Sequence, residues 1–188
     1  MFYKNMEFIF FDFETTGIKA NGLTTDDTPI ELGMILTDEN LIFKDRFQTY
    51  IKWPWMENFT QWPLQYRESY NIHNINIDTI KKYGNSPQEI IDSIKIFLNT
   101  TINKTQYNPT LVSDNAYFDT LMMHKLFNVS GDPQDFYNVF HYTTWDINIL
   151  YKSANVEKIS EHSHDALGDA ANMWHRTLRS LQKINYFN

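Results

Sequence analysis

The stretch Phe8-Ile9-Phe10-Phe11-Asp12-Phe13-Glu14-Thr15-Thr16-Gly17 decides the fold. Its almost unbroken apolar and aromatic run is typical of a strand that is buried on both faces. Because side chains alternate along a strand, Asp12 and Glu14 project to the same face, and Phe11 and Phe13 point to the other. Two neighbouring carboxylates in an apolar setting repel each other and are costly to desolvate, which a bound cation relieves. The alternative is a strand that ends at Phe11, with both acids solvated.

Composition narrows the class of protein. The chain has 188 residues, no cysteine and a formal charge of −7. The length predicts a single domain over residues 1–188 with a sizeable core, and the lack of cysteine excludes disulfides and thiolate sites. No signal peptide or membrane span is visible, so we expect a cytoplasmic protein without membrane contact. The negative charge argues against clamping long duplex DNA through a basic surface, but it fits a protein that handles one strand end through bound metal.

The order of the predicted elements indicates a mixed sheet covered by helices, because strands come first and strand and helix then alternate. Two strands, over 30–36 and about 41–51, follow the first through short connections, which predicts an antiparallel meander. A capping box at Ser86-Pro87-Gln88-Glu89 predicts the start of a long helix. The other predictions are helices over 77–83, 117–127, 146–153 and 165–183, strands over 110–113 and 139–140, and loops over 18–29 and 132–138.

The segment 53–70 is rich in aromatic residues and poor in charge. It contains Trp53, Trp55, Phe59, Trp62, Tyr66 and Tyr70. One interpretation is a stacking surface for single-stranded bases. The other, favoured for most of these residues, is a loop that packs its aromatic side chains onto the core.

Further acids and histidines stand at the predicted starts of two later helices. Asp119 follows the strand over 110–113, and Asp169 lies in the first turn of the last helix, preceded by His162 and His164. Taken singly, a carboxylate in a first helical turn is often only a complement to the helix dipole. Strand ends and helix starts gather at one edge of an open α/β sheet, however, so we expect these acids to converge with the first pair.

Four carboxylates at one place are hard oxygen ligands of the kind that Mg²⁺ or Mn²⁺ prefers. Two such ions about 4 Å apart suit in-line displacement at phosphorus. His164 can then accept the proton of the attacking water near neutral pH. The basic residues Arg176, Arg179 and Lys183 lie near one face of the last helix, for which a solvated surface is expected rather than a contact with phosphates.

Three motifs carry a resemblance to a known family. Residues 11–17, Phe-Asp-Phe-Glu-Thr-Thr-Gly, are similar to the first motif of the DEDDh 3′–5′ exonucleases. Asn115-Ala116-Tyr117-Phe118-Asp119 resembles the second motif, and residues 164–169, with histidine five positions before aspartate, match the third. Asp165 stands where the DEDDy branch has tyrosine, which favours the histidine branch. The likeness runs from about Glu7 to Leu181 and is greatest to polymerase proofreading subunits and RNase T.

The resemblance implies an RNase H-like α/β fold, with a five-stranded mixed sheet flanked by helices. It implies that Asp12 bridges two Mg²⁺ or Mn²⁺ ions, that Glu14 and Asp169 hold one ion and Asp119 the other, and that His164 is the general base. The substrate-binding residues implied are Thr15, Thr16, Gly17, His73, Asn115 and Tyr117. The partner implied is the 3′ end of single-stranded DNA or RNA, and dimeric relatives imply a homodimer.

Two other functions remain open at this point. A phosphatase of the haloacid dehalogenase kind would use a strand-end aspartate such as Asp12 as its nucleophile, but Glu14 and His164 count against it. A non-catalytic single-strand binding module would use the aromatic segment, with the acids folded around an ion. DNA and RNA are not separated by the residues alone, because the 2′-hydroxyl is read through loop geometry.

Overall fold

A five-stranded mixed sheet forms the centre of the molecule. The computed structural model describes residues 6–17, 27–102, 108–157 and 164–184. The strands are β1 (Phe8–Thr15), β2 (Pro29–Thr37), β3 (Phe43–Tyr50), β4 (Thr110–Ser113) and β5 (Thr144–Asp146). Their order across the sheet is β3-β2-β1-β4-β5. β2 is antiparallel to β1 and β3, whereas β4 is parallel to β1 and β5, so the predicted meander and mixed sheet are confirmed.

Helices cover both faces of this sheet. They are α1 (Arg67–His73), α2 (Ile77–Tyr83), α3 (Pro87–Thr101), α4 (Ala116–Phe127), α5 (Gln134–Val139), α6 (Asn148–Ser153) and α7 (Ala166–Lys183). Short 3₁₀ helices lie at Pro54–Asn58, Leu64–Tyr66 and Asn128–Ser130. The predicted capping box begins α3, with Ser86 and Glu89 each bonding the other's backbone. Across the described residues, no helix has both the length and the apolarity needed to cross a membrane.

The alternation of β1 divides the core into two layers. Phe11 and Phe13 pack with residues of α3 and α4 on one face of the sheet. Phe10 packs with residues of α6 and α7 on the other face. Since Asp12 and Glu14 continue the alternation of Phe10, they lie on the α7 face. The predicted separation of acids from phenylalanines along β1 is therefore confirmed.

The chain between α4 and α6 differs from the prediction. The loop expected over 132–138 and the edge strand expected over 139–140 are both wrong, because α5 occupies this part of the chain. Phe136 and Phe140 lie one helical turn apart and both pack on Phe127 in the core, which favours a helix. The edge strand is β5 instead. It extends through Asp146, opposite Ser113 of β4, so α6 begins two residues later than predicted.

The aromatic segment 53–70 packs on a small core of its own beside β2. Trp62 is buried there, and its indole N–H donates to the carbonyl of Ile75 at 2.7 Å. The indole N–H of Trp53 donates to the carbonyl of Pro29 at 2.7 Å. The packing interpretation therefore accounts for these two tryptophans. Phe59, at 37% exposure, is the most open ring of the segment, and base stacking by it stays a prediction.

Candidate active site

Three of the predicted acids meet on the α7 face of β1. Ligand oxygens of Asp12, Glu14 and Asp169 all lie within 4.8 Å of one another. The first two are neighbours on one face of β1, and Asp169 faces them from the first turn of α7. Carboxylate oxygens at this spacing can share one divalent cation.

Asp119 reaches the same edge from the opposite layer. Its helix, α4, packs on the other face of the sheet, but β4 ends at Ser113, before the end of β1. The buried carboxylate of Asp119 can therefore accept hydrogen bonds from the hydroxyl of Ser113 and from the backbone N–H of Phe13. After burial, the charge of Asp119 is the largest influence on the pKa of Asp12. Asp119 thus lies near Asp12, beside the group that Asp12 forms with Glu14 and Asp169.

Three of the four acids lie in surroundings in which a carboxylate is hard to ionise: Asp12, Glu14 and Asp119 all have raised pKa values. Burial, and then the neighbouring carboxylates, raise the pKa of Asp12 well above its ordinary range. Burial and the charge of Asp169 raise the pKa of Glu14 to about 8. Burial raises the pKa of Asp119 to about 7, although three hydrogen bonds, from Ser113, Phe13 and its own backbone, act to lower it. A divalent cation would relieve the repulsion and favour the ionised carboxylates, so this donor set fits a hard cation such as Mg²⁺ or Mn²⁺.

Ser113 is a supporting residue that sequence reasoning does not find. We expect Ser113→Ala to lower Mg²⁺-dependent strand degradation by about 10-fold, because the Asp119 carboxylate loses the hydroxyl that orients it and favours its charge. The measurement is the initial rate at several Mg²⁺ concentrations. Ser93→Ala is the matched control, since the Ser93 hydroxyl bonds only a carbonyl of its own exposed helix face. A wild-type rate in Ser113→Ala would contradict the assignment.

Two residues of β2 bring the start of α7 against the sheet. The carboxylate of Glu31 is buried and accepts the N–H of Ala166 at 3.1 Å and the side-chain amide of Gln48 at 2.9 Å. Gly33 pairs with Asp12 in the sheet, and a Cβ there would lie 2.2 Å from the carbonyl carbon of Ala166. A glycine inside a strand is the sequence signal for such a close approach.

His164 is exposed and lies two residues before α7, the helix that carries Asp169. Its backbone is left-handed, with φ of 50°. The next residue, Asp165, caps α7 by accepting the N–H of Gly168 at 2.8 Å. The charge of His164 contributes, after burial, to the lowered pKa of His73, so the two histidines lie near each other. His162 lies outside the described residues.

The turn after β1 is held by bonds within the chain. Thr15 and Thr16 are both buried. The hydroxyl of Thr15 donates to the carbonyl of Gly17 at 2.8 Å. The Thr16 N–H donates to the carbonyl of Thr28 at 2.9 Å, and the Ser69 hydroxyl donates to the carbonyl of Thr16 at 2.7 Å. These bonds fix the turn directly after the strand that carries Asp12 and Glu14.

His73 ends α1, which is tied to this turn through Ser69. The ring is buried and accepts the N–H of Ile75 on Nδ1 at 2.9 Å. It lies edge-to-face with the rings of Trp62 and Tyr70. Burial, and then the charge of His164, lower the pKa of His73 to about 4. His73 is therefore neutral near pH 7, with its proton on Nε2.

Asn115 and Tyr117 lie where β4 passes into α4. The backbone N–H of Asn115 donates to the hydroxyl of Ser113 at 3.1 Å, and its carbonyl accepts the N–H of Asp119 at 3.1 Å. The side chain of Asn115 is exposed, and the Tyr117 ring is 74% exposed. Both side chains are accessible within one turn of Asp119.

Comparison with known proteins decides the family. A family model described as an exonuclease (RNase T) matches residues 9–175. The chain belongs to this exonuclease family. Three motifs of the resemblance, at 11–17, 115–119 and 164–169, all lie inside the matched region. The assignment favours an exonuclease over a phosphatase of the haloacid dehalogenase kind. A comparison with curated protein sequences finds no match.

Solved structures share the fold of this exonuclease. The nuclease domain of 3′hExo, a DEDDh family member bound to rAMP, is 18% identical over 96% of this chain and 94% of that chain, with a TM-score of 0.66. A full-length 3′-exonuclease is 20% identical over 95% and 82%, with a TM-score of 0.63. E. coli exonuclease I in complex with a dT13 oligonucleotide is 15% identical over 97% of this chain but only 42% of that longer chain, with a TM-score of 0.70. The predicted RNase H-like fold and DEDDh resemblance are confirmed.

Proposed function

We propose that this exonuclease is metal-dependent and removes nucleotides from the 3′ end of single-stranded DNA or RNA, releasing nucleoside 5′-monophosphates. The observation that carries the proposal is the convergence of Asp12, Glu14 and Asp169, with Asp119 beside Asp12, at one edge of the sheet. The substrate class is supported by two structures of the same fold, which are bound to rAMP and to a dT13 oligonucleotide. Self-association stays a prediction.

The acids divide into two ligand sets that share Asp12. Glu14 and Asp169 would hold one ion with Asp12, because their oxygens form the closest group. Asp119 would hold the second with Asp12, because it lies near Asp12 but outside that closest group. When bound, two such ions supply an activated water and charge stabilisation for the leaving 3′ oxygen. The protein's own part is to hold the four carboxylates in this arrangement.

His164 would take the proton from the attacking water. It is exposed and lies two residues before the helix that carries Asp169. The water oxygen bonds to phosphorus, the bond from phosphorus to the 3′ oxygen of the preceding nucleotide breaks, and the proton passes to the imidazole.

The remaining predicted residues would hold the end of the strand. The backbone of Thr15, Thr16 and Gly17 would face the terminal sugar and its 3′-hydroxyl. His73, held rigidly with a proton on Nε2, would offer a hydrogen-bond donor to the terminal nucleotide. The exposed side chains of Asn115 and Tyr117 would meet the strand near Asp119.

A degradation assay tests the proposed activity. The substrates are 5′-labelled single-stranded DNA, RNA of the same sequence and a blunt duplex, each with Mg²⁺, Mn²⁺ or EDTA. We expect a ladder of products that shorten from the 3′ end, release of nucleoside 5′-monophosphate, and no reaction with EDTA. Internal cuts alone, or shortening from the 5′ end, would refute the proposal.

His164→Ala tests the role of the histidine. We expect the turnover number to fall by about 10²- to 10⁴-fold, the range typical of losing a general base, with little change in Mn²⁺ affinity. His175→Ala, which changes an exposed histidine on α7, is the matched control and should keep the wild-type rate. If His164→Ala instead lost Mn²⁺ affinity, the histidine would be a ligand rather than the base.

A further inference from the structure

Arg176 is a buried cation that the proposed mechanism does not use. The sequence predicts a solvated face for Arg176 together with Arg179 and Lys183, and for Arg176 this is wrong, because the residue is only 9% exposed. It lies seven positions after Asp169, which is two helical turns along the same side of α7. A buried arginine carries a large desolvation cost unless its charge and donors are partnered.

The guanidinium group of Arg176 touches three other parts of the chain. It stacks on the Tyr151 ring of α6, with carbon ζ 3.7 Å from the ring centroid. Nη1 donates to the carboxylate of Asp114 at 3.4 Å, and Nη2 donates to the carbonyl of Val156 at 3.4 Å. Nε is buried without a hydrogen-bond partner among the described residues. One side chain therefore joins α7 to α6, to the connection between β4 and α4, and to Val156, which follows α6.

Asp114 connects this contact to the acid group. It directly follows β4, and its carbonyl accepts the side-chain amide of Asn148. The carbonyl of the next residue, Asn115, accepts the N–H of Asp119 itself, in the first turn of α4. The charge of Asp114 also contributes, behind burial and other effects, to the raised pKa values of Asp12 and Asp119. Asp114 is thus near enough to influence the acids without belonging to their closest group.

We propose that Arg176 is a positioning residue for the acid group. Its guanidinium group holds the connection between β4 and α4, which leads to Asp119, and the backbone at Val156. Because Arg176 shares α7 with Asp169, the connection to Asp119 is held at a fixed position relative to that acid. The planar guanidinium is required, since a lysine supplies the charge as a single point and cannot stack on the ring while donating to two acceptors.

The test compares Arg176→Lys with Arg179→Lys, an exposed arginine on the same helix. Mn²⁺ affinity is measured from the electron paramagnetic resonance signal of free Mn²⁺, folding from the thermal melt in EDTA, and kcat and KM on a labelled single strand. We expect Arg176→Lys to weaken Mn²⁺ binding by about 10-fold and to lower kcat by a similar factor. The KM for the strand should stay within about twofold, because Arg176 does not reach substrate, and Arg179→Lys should match wild type.

Asp114→Asn is the second variant, should Arg176→Lys fail to fold. It keeps the shape but weakens the ion pair, and we expect the same loss of Mn²⁺ affinity. A lower melting temperature with unchanged Mn²⁺ affinity and kcat would mean that the pair only stabilises the fold, which overturns the inference. Wild-type affinity in a folded Arg176→Lys beside a loss in Asp114→Asn would mean that charge alone matters, which also overturns it.

The expected effect of Arg176 on kcat rests on the proposed function, whereas its expected effect on Mn²⁺ affinity rests only on the acid group. A wild-type protein that binds Mn²⁺ but degrades no strand would refute the proposed function and leave the effect of Arg176 on Mn²⁺ binding intact. A wild type that degrades strands, with full Mn²⁺ affinity in Arg176→Lys, would refute the role of Arg176 alone.

Discussion

Asp12→Asn is expected to abolish strand degradation and, in EDTA, to make the protein more stable. The rate should fall by about 10³-fold or more, because the acid shared by both ligand sets is lost and ion binding is worth several kcal/mol of barrier. Stability should rise by about 1 kcal/mol, or about 3 °C in Tm, because one of several buried, mutually repelling carboxylates is removed. The measurements are the initial rate with Mg²⁺ and the thermal melt in EDTA.

Asp92→Asn is the control for this prediction, since Asp92 is an exposed acid on α3. It should leave both the rate and the melt unchanged. With added Mn²⁺, the wild type should gain stability and Asp12→Asn should gain much less, because only the wild type keeps the full ligand set. A fully active Asp12→Asn would remove the basis of the proposed function. A variant that is inactive and also less stable in EDTA would contradict the claim that repulsion among the buried carboxylates lowers stability.

Gly33→Ala is expected to damage both the fold and the activity, although Gly33 itself supplies no proposed ligand atom. The added Cβ would lie 2.2 Å from the carbonyl carbon of Ala166, which is backbone and cannot rotate away. The start of α7 must therefore move off β2, at a cost of about 1–3 kcal/mol. Because that helix carries Asp169, a displacement near 1 Å should also lower the rate by about 100-fold. Chemical denaturation and the initial rate with Mg²⁺ measure the two effects.

Gly131→Asn is the matched control. Gly131 has a φ of 75° and nothing within 4 Å of a Cβ, and asparagine tolerates that backbone conformation. Its stability and rate should stay close to wild type. If Gly33→Ala kept the full rate while losing stability, the close approach of α7 would matter for folding but not for the placement of Asp169.

The parts of the fold that the sequence predicts well are those with a local physical cause. β1 is evident from an apolar run that only two acids interrupt, and α3 from a capping box that satisfies its first N–H groups. The three motifs around Asp12, Asp119 and Asp169 are likewise local patterns, and the fold brings the acids together at one edge. Patterns of this kind can be recognised without knowing the fold, because the residues that form them are neighbours in the chain.

The parts that the sequence does not reveal depend on contacts between distant residues. β5 is a three-residue strand that exists because β4 offers it a parallel partner, and α5 is a six-residue helix that depends on packing against Phe127. The bond from Glu31 to Ala166 spans 135 positions. Arg176 carries no sign of burial in its local pattern, because its partner Asp114 lies 62 positions away.

Anomalous diffraction from crystals of the protein soaked with Mn²⁺ tests the central claim most directly. The account predicts one Mn²⁺ peak among the carboxylates of Asp12, Glu14 and Asp169, and a second about 4 Å away between Asp12 and Asp119. Diffraction that places no Mn²⁺ within ligand distance of Asp12, with the four side chains otherwise ordered, would contradict it.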